Sequence, residues 1–136
     1  MKKARAEEKT GPTVTGRIII ASGVPALTDA TAHLRLEDIS YADREAVLLA
    51  ETLIQNVCHP PLTEGNRQEA VTVLAFELRV DAGAGIIDPS HEYAVRVWVD
   101  CNGDGKEGTG DLYSDQRYRV LTRGFGRAVT IVLDAH

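Results

Sequence analysis

The sequence is short of the features that would tie it to a membrane, a nucleic acid or a redox centre. No uninterrupted apolar run approaches the ~18 residues of a spanning helix, so direct membrane insertion of that kind is excluded. Aromatic residues make up 5% of the chain, with a single Trp98, too few for a base-stacking platform. The formal net charge of −5 argues against wholesale binding to nucleic acid or to an anionic membrane. Two cysteines, Cys58 and Cys101, cannot make a disulfide framework, and no C-x-x-C is present for zinc or redox work. They read either as one bridge or as two reduced thiols. Neither G-x-S-x-G nor H-E-x-x-H occurs. Cys58-His59 are neighbours in sequence, which is not the spatial pairing that a cysteine nucleophile needs. No apolar leader segment follows Met1-Lys2-Lys3, and no lipobox-like Leu-x-x-Cys stands near the start. The expectation is a cytoplasmic protein if Met1 is the native start, and a periplasmic one if a leader was removed.

What is present is one domain's worth of chain. At 136 residues, 43% hydrophobic and 26% charged, it has the composition of a globular protein. Residues 1–11 read as a disordered N-terminal arm, with Lys2, Lys3, Arg5 and Lys9 against Glu7 and Glu8, and residues 12–136 as a single domain. Val14, Gly16, Ile18 and Ile20 alternate with Thr13, Thr15, Arg17 and Ile19. Ala32, Leu34 and Leu36 alternate with His33, Arg35 and Glu37, and Leu74, Phe76, Leu78 and Val80 with Val73, Ala75, Glu77 and Arg79. These are period-2 strands, and the clusters between them are turn chemistry. Residues 43 to 57 are ambiguous: Val47, Ala50, Leu53, Ile54 and Val57 fall at helical spacing, while the strand-rich surroundings favour a strand. Seven or eight short strands at regular spacing predict an all-β fold, a small antiparallel β-sandwich.

Chemistry concentrates in one acidic loop. In Asp100-Cys101-Asn102-Gly103-Asp104-Gly105-Lys106-Glu107-Gly108-Thr109-Gly110-Asp111, the residues Asp100, Asn102 and Asp104 stand at positions 1, 3 and 5 of a calcium loop. Gly105 stands at the sharp turn, Lys106 can offer its carbonyl, and Asp111 closes the shell where a Glu is usual. Two readings stay open: a weak Ca²⁺ site formed by Asp100, Asn102, Asp104, Lys106 and Asp111, or a metal-free connection shaped by Asn-Gly and Asp-Gly. The literal G-x-G-x-x-G of Gly103, Gly105 and Gly108 is a false nucleotide signature, because acids lie where phosphate would and no helix follows.

Arg117, Arg119, Arg123 and Arg127 follow with no acid between Gln116 and Val132. They read either as an anion or acidic-partner patch at 123–127, or as arginines that neutralise the acidic loop beside them. His33, on the polar face of a strand, and His91, in a turn, read as solvated. On 93–99, the face of Tyr93, Val95, Val97 and Val99 reads as core, which places Trp98 on the outer face under a loop or a partner.

The segments Val14-Thr15-Gly16-Arg17-Ile18, Ala32-His33-Leu34-Arg35-Leu36-Glu37-Asp38-Ile39-Ser40 and Tyr93-Ala94-Val95-Arg96-Val97-Trp98-Val99-Asp100 occur in order. Asn102-Gly103-Asp104-Gly105, Gly110-Asp111-Leu112-Tyr113-Ser114-Asp115-Gln116 and Val120-Leu121-Thr122-Arg123-Gly124 complete the set. Together, from about Val14 to Leu133, they resemble the YbaY/YscW-type domain family, which includes lipoprotein pilotins of type III secretion. The resemblance implies a small β-sandwich with few or no helices, and so a strand at 43–57. It also implies a non-enzymatic protein that binds a secretin subunit in the envelope, with no catalytic residues to carry over. The lipidated N-terminal cysteine of such pilotins has no counterpart in this sequence.

The expectation is therefore a non-enzymatic binding or structural module, chaperone- or pilotin-like, whose partner is a protein segment that pairs with an edge strand. The rival reading is a small hydrolase or carbohydrate-acting enzyme that uses carboxylates such as Asp104 and Asp111, which requires an apolar-lined pocket beside them.

Overall fold

The computed structural model describes residues 12–41, 46–60, 71–80, 87–103, 105–108, 111–114 and 116–134. The expected arm at 1–11, and Asp104 of the acidic loop, lie outside them. Eight strands run in the order β1 (Thr13–Ile20), β2 (Leu27–Asp38), β3 (Val47–His59), β4 (Thr72–Arg79), β5 (Tyr93–Asp100), β6 (Leu112–Tyr113), β7 (Tyr118–Val120) and β8 (Ala128–Leu133). Among the described residues there is no helix. Of the ambiguous segment 43–57, residues 47–57 lie in β3, a 13-residue strand, while 43–45 lie outside the described residues.

The strands form two sheets. One has the order β4-β1-β8, with β1 antiparallel to β4 and parallel to β8. The other runs β3-β2-β5-β6, and β7 pairs with β5 beyond β6. Every pair except β1–β8 is antiparallel. The alternating residues of β1 and β2 bury their aliphatic faces against each other: Val14, Ile18 and Ile20 on one sheet, Leu34 and Leu36 on the other, all inaccessible. Val95, Val97 and Val99 of β5 join them, with Leu78, Ile131 and Leu133 opposite. Each such side chain withdrawn from water is worth roughly 1.5–3 kcal/mol, and this layer is what holds the two sheets together.

Gly16 sits in the middle of β1 because nothing larger fits. A Cβ there would run into the Val129 carbonyl oxygen and lie 2.9 Å from the Phe76 ring, so β8 and Phe76 close over the bare backbone. At the outer edge of β8, the Tyr118 hydroxyl donates to the Val132 carbonyl and accepts from the Val132 N–H, each at 3.3 Å. One side chain thus satisfies backbone groups that would otherwise form a bare sheet edge.

Among the described residues, no strand pairs with the outer edge of β3. The strand pairs with β2 on one side and approaches β4 near His59, whose Nδ1 lies 2.7 Å from the Thr72 hydroxyl. Val47, Leu48 and Leu53 on this strand are about half exposed. Its pairing with β2 is broken by register shifts, and Asn56 adopts a left-handed φ of 59°. The face that points inward therefore changes along the strand, from Leu49 to Ala50, Thr52 and Ile54, and then to Val57 and His59.

Candidate functional site

The acidic loop leaves the end of β5 and is tied back by its own carboxylates. Asp100, buried, accepts the Gly103 N–H on Oδ1 at 3.0 Å and the Gly105 N–H on Oδ2 at 2.7 Å. Gly103 and Gly105 have φ of 76° and 74°, which is why glycine follows Asn102 and stands at position 105. Asp111 closes the far side: Oδ1 accepts the Cys101 N–H at 3.0 Å and Oδ2 accepts the Trp98 indole N–H at 2.8 Å. Asn102 and Lys106 stand on the exposed rim. Of the five residues expected to hold calcium, Asp100 and Asp111 are brought to the base of one loop, each with both oxygens accepting N–H groups. Among the described residues, no three His, Cys, Asp or Glu side chains gather at metal-binding spacing.

The same loop covers Trp98. Rows of side chains cross the outer face of the larger sheet in register, and one reads Leu53, His33, Trp98, Tyr113. The His33 ring stacks on Trp98, with centroids 4.1 Å apart and 17° between planes. Glu107 reaches Arg96 at 3.6 Å, and the Tyr113 hydroxyl donates to the Gly108 carbonyl at 3.2 Å. Trp98 is consequently only 8% exposed while lying outside the inter-sheet core, as the face pattern of β5 predicts. The expectation that His33 is solvated is corrected: its partner arrives from a strand 65 positions further on. Cys101 is half-buried, and burial pushes its thiol pKa up. Both Cys101 and Cys58 are free thiols. The concavity beside the loop, between His33, Arg35, Arg96, Trp98 and Glu107, measures about 10 Å³, room for one water molecule and not for a substrate.

At the other end of β5 the charges meet one another. Asp38, buried at the end of β2, accepts the Ser40 N–H at 3.0 Å and lies 2.7 Å from His91 Nδ1. His91 Nε2 faces Asp88 at 3.5 Å. The Asp38 hydrogen bond, reinforced by both carboxylate charges, raises the His91 pKa above its ordinary 6.5. Burial works to raise the Asp38 pKa, but the Ser40 and His91 hydrogen bonds outweigh it and leave it below the ordinary 3.8. His91 is therefore an ion-pair partner and not a solvated turn residue, a second correction. Thr122, buried, donates to the His91 carbonyl at 2.6 Å and pins the connection after β7 to this cluster. Arg119 pairs with Glu92 at 3.3 Å, and Arg123 reaches the same carboxylate at 4.0 Å. The expectation that the arginines neutralise the acidic loop is corrected for these two: their acid is Glu92.

Between the two ends, the larger sheet carries a groove on its outer face. The row Leu48, Glu37, Ala94, Arg119 crosses it, with the small Ala94 in one of its two lobes. One lobe of about 450 Å³ lies between Ile39, Tyr41, Ala46, Arg117 and Arg119. A second of about 380 Å³ continues over Ala94, Arg96 and Ser114 and shares Ile39, Ala46 and Arg117 with the first.

The model of the type III secretion system lipoprotein chaperone (YscW) family matches residues 9–133. The chain belongs to that family. Among solved structures, an alternative pilotin from the type II secretion system of Vibrio cholerae is similar, with a TM-score of 0.65 and 27% identity over 92% of this chain and 97% of that one. No curated protein matches the chain. As a YscW-family domain it carries its chemistry in side-chain ties that shape loops and in the exposed surfaces of the larger sheet. The two histidines and the groove were hidden from sequence reading, because each depends on cross-strand register. The signal that could have found His33 is its place, with Trp98, on the outward face of adjacent strands.

Proposed function

We propose that this protein is a non-enzymatic chaperone of the pilotin kind, which binds a secretin-type envelope subunit and works in the periplasm or at the outer membrane. The observation that carries this reading is the family match over 9–133, supported by a pilotin of similar fold along nearly the full length of both chains. The open edge of β3, with Val47, Leu48 and Leu53 half exposed, suits a partner segment added by main-chain hydrogen bonds. An enzymatic role for Asp111 has little support, since its oxygens face the Cys101 and Trp98 N–H groups. Calcium in the acidic loop stays a proposal of its own, to be tested by titration.

The test is co-elution and calorimetry with the secretin subunits encoded in the host genome. One of them should bind with a dissociation constant in the micromolar range or tighter, and fractionation should place the native product in the envelope. Absence of binding to every secretin at tens of micromolar, with the protein in the cytosolic fraction, would overturn the reading.

A further inference from the structure

The groove on the outer face of the larger sheet has two characters. Its floor is apolar and small, made by Ile39, Ala46 and Ala94. Its wall on the β5–β7 side carries three guanidinium groups, from Arg96, Arg117 and Arg119. The outermost strand is interrupted here: β6 ends at Tyr113 and β7 begins at Tyr118, and between them, among the described residues, Ser114 meets the outer edge of β5 through its N–H and hydroxyl contacts with Val97. Each lobe has the volume of a few side chains, within the range of ligand-binding clefts.

Among the described residues, the acids that face this wall are already engaged or lie across from it. Glu92 is held between Arg119 and Arg123, Glu107 sits on Arg96, and Glu37 stands on the β2 side. Arg117 belongs to both lobes, is exposed, and has no ion pair among the described residues. A planar, always-charged fork at the centre of an apolar-floored groove is the arrangement that recognises a carboxylate in two-pronged fashion. It stands on a body whose net charge is negative, so an acidic ligand would be repelled elsewhere on the surface and drawn here.

We infer that this groove is a docking site for an acidic amphipathic peptide segment, with Arg117 meeting a carboxylate and the Ile39–Ala46–Ala94 floor taking a neighbouring apolar side chain. The site begins where β3 begins, so a segment added to the β3 edge would reach it with its flanking residues. The inference rests on the reading of the protein as a chaperone for another polypeptide, and supplies the charge selectivity that main-chain pairing cannot.

The probe is a fluorescein-labelled 12-residue peptide of alternating Glu and Leu, compared with its Lys-for-Glu analogue, titrated by anisotropy at low and at physiological salt. The Glu peptide should bind the wild-type chain and the Lys analogue should bind about tenfold more weakly or worse. Arg117→Glu should reverse that order, and Ala46→Trp, which fills the floor, should weaken the Glu peptide by roughly tenfold. Both variants should keep the wild-type circular dichroism, and Arg117→Glu the wild-type Trp98 emission. Equal binding of the two peptides, no binding, or Arg117→Glu binding the Glu peptide as well as wild type would overturn the groove. So would a concentration-dependent dimer that Ala46→Trp abolishes, which would make a second copy the occupant. Secretin binding is scored separately. If a secretin binds the wild type and Arg117→Glu equally, the chaperone reading survives and the groove does not. If no secretin binds while the peptide results hold, the reverse follows.

Discussion

At the Asp100 end of β5, acidic side chains accept hydrogen bonds from N–H groups of their own loop and from Trp98, whereas at the Tyr93 end Asp38, Asp88 and Glu92 meet His91, Arg119 and Arg123. The strand is eight residues long, and its ends use the same carboxylate chemistry for opposite purposes. At the first end, negative charge replaces backbone partners that a glycine-rich turn cannot supply. At the second, it fixes the mutual position of three separate segments: the end of β2, the turn before β5 and the connection after β7. A cluster of acids in sequence is thus a poor guide to where positive charge will settle: Glu107 of the loop reaches Arg96, while Asp100 and Asp111 accept N–H groups.

The largest effect should come from breaking the loop end. Asp111→Ala leaves the buried Trp98 N–H and the Cys101 N–H without an acceptor and should cost about 2–4 kcal/mol, measured by urea denaturation. As Trp98 is the sole tryptophan, its emission should shift to longer wavelength in the folded variant. Unchanged emission would show that the indole is covered without Asp111.

Breaking the other end should cost less. Asp38→Ala removes the His91 and Ser40 contacts and should cost about 2 kcal/mol, with Trp98 emission unaltered. A shift in that emission would mean that the two ends are coupled along β5.

A smaller effect, and a sharper contrast, lies in pH. The raised pKa of His91 gives stability that is fully present below 6.5 and is lost as the pH rises through the folded value. The lowered pKa of Asp38 gives stability that is present above 3.8 and is lost as the pH falls through its folded value. The Tyr93 end should therefore be firmest in mildly acidic solution. In NMR titrations, the Ser40, Ser90 and Glu92 amides should move with a midpoint above 6.5, while Gly103 and Gly105 should stay still over that range. His59 runs the other way. Burial lowers its pKa against a smaller opposing influence of the Ala21 backbone, and its Nε2 makes no hydrogen bond of ordinary geometry, so its contribution fades as the pH falls below 6.5. Replacing His91 by Gln should remove the loss of stability as the pH rises above 6.5, in a melting curve series.

The smallest effect concerns calcium. A weak site in the loop, saturated to ten times its dissociation constant, would add about 1.4 kcal/mol and raise the melting temperature by a few degrees. Asp104→Ala should abolish that rise. No shift up to tens of millimolar would leave Asp100 and Asp111 as backbone and indole acceptors alone.

Strand periodicity was readable wherever a strand has one wet face and one dry one, as in β1, β2 and β4. It was unreadable in β3, where two changes of inward face, at Leu49–Ala50 and around Asn56, put apolar residues at 50, 54 and 57 and imitate a helix. The resemblance to known sequences resolved that segment, not the pattern. The acidic loop announced its turns through Asn-Gly and its positive-φ glycines. Its hydrogen bonds did not show, because which oxygen meets which N–H depends on the path of the loop. His33 and His91 were misread for one reason: their partners, Trp98 and Asp38, lie 65 and 53 positions away and are met only through strand pairing.

The parallel pairing of β1 with β8 joins the first strand to the last. The smaller sheet therefore stays a two-stranded fragment until residues 128–133 are available, so long-range closure must be among the late steps of folding. Until then, Ile18 and Ile20 lack the strand neighbours Ile131 and Leu133 that they meet in the finished sheet. Gly16 adds to this delay, since it supplies no side chain to stabilise β1 before β8 arrives. Completion of the smaller sheet thus waits on residues 128–133.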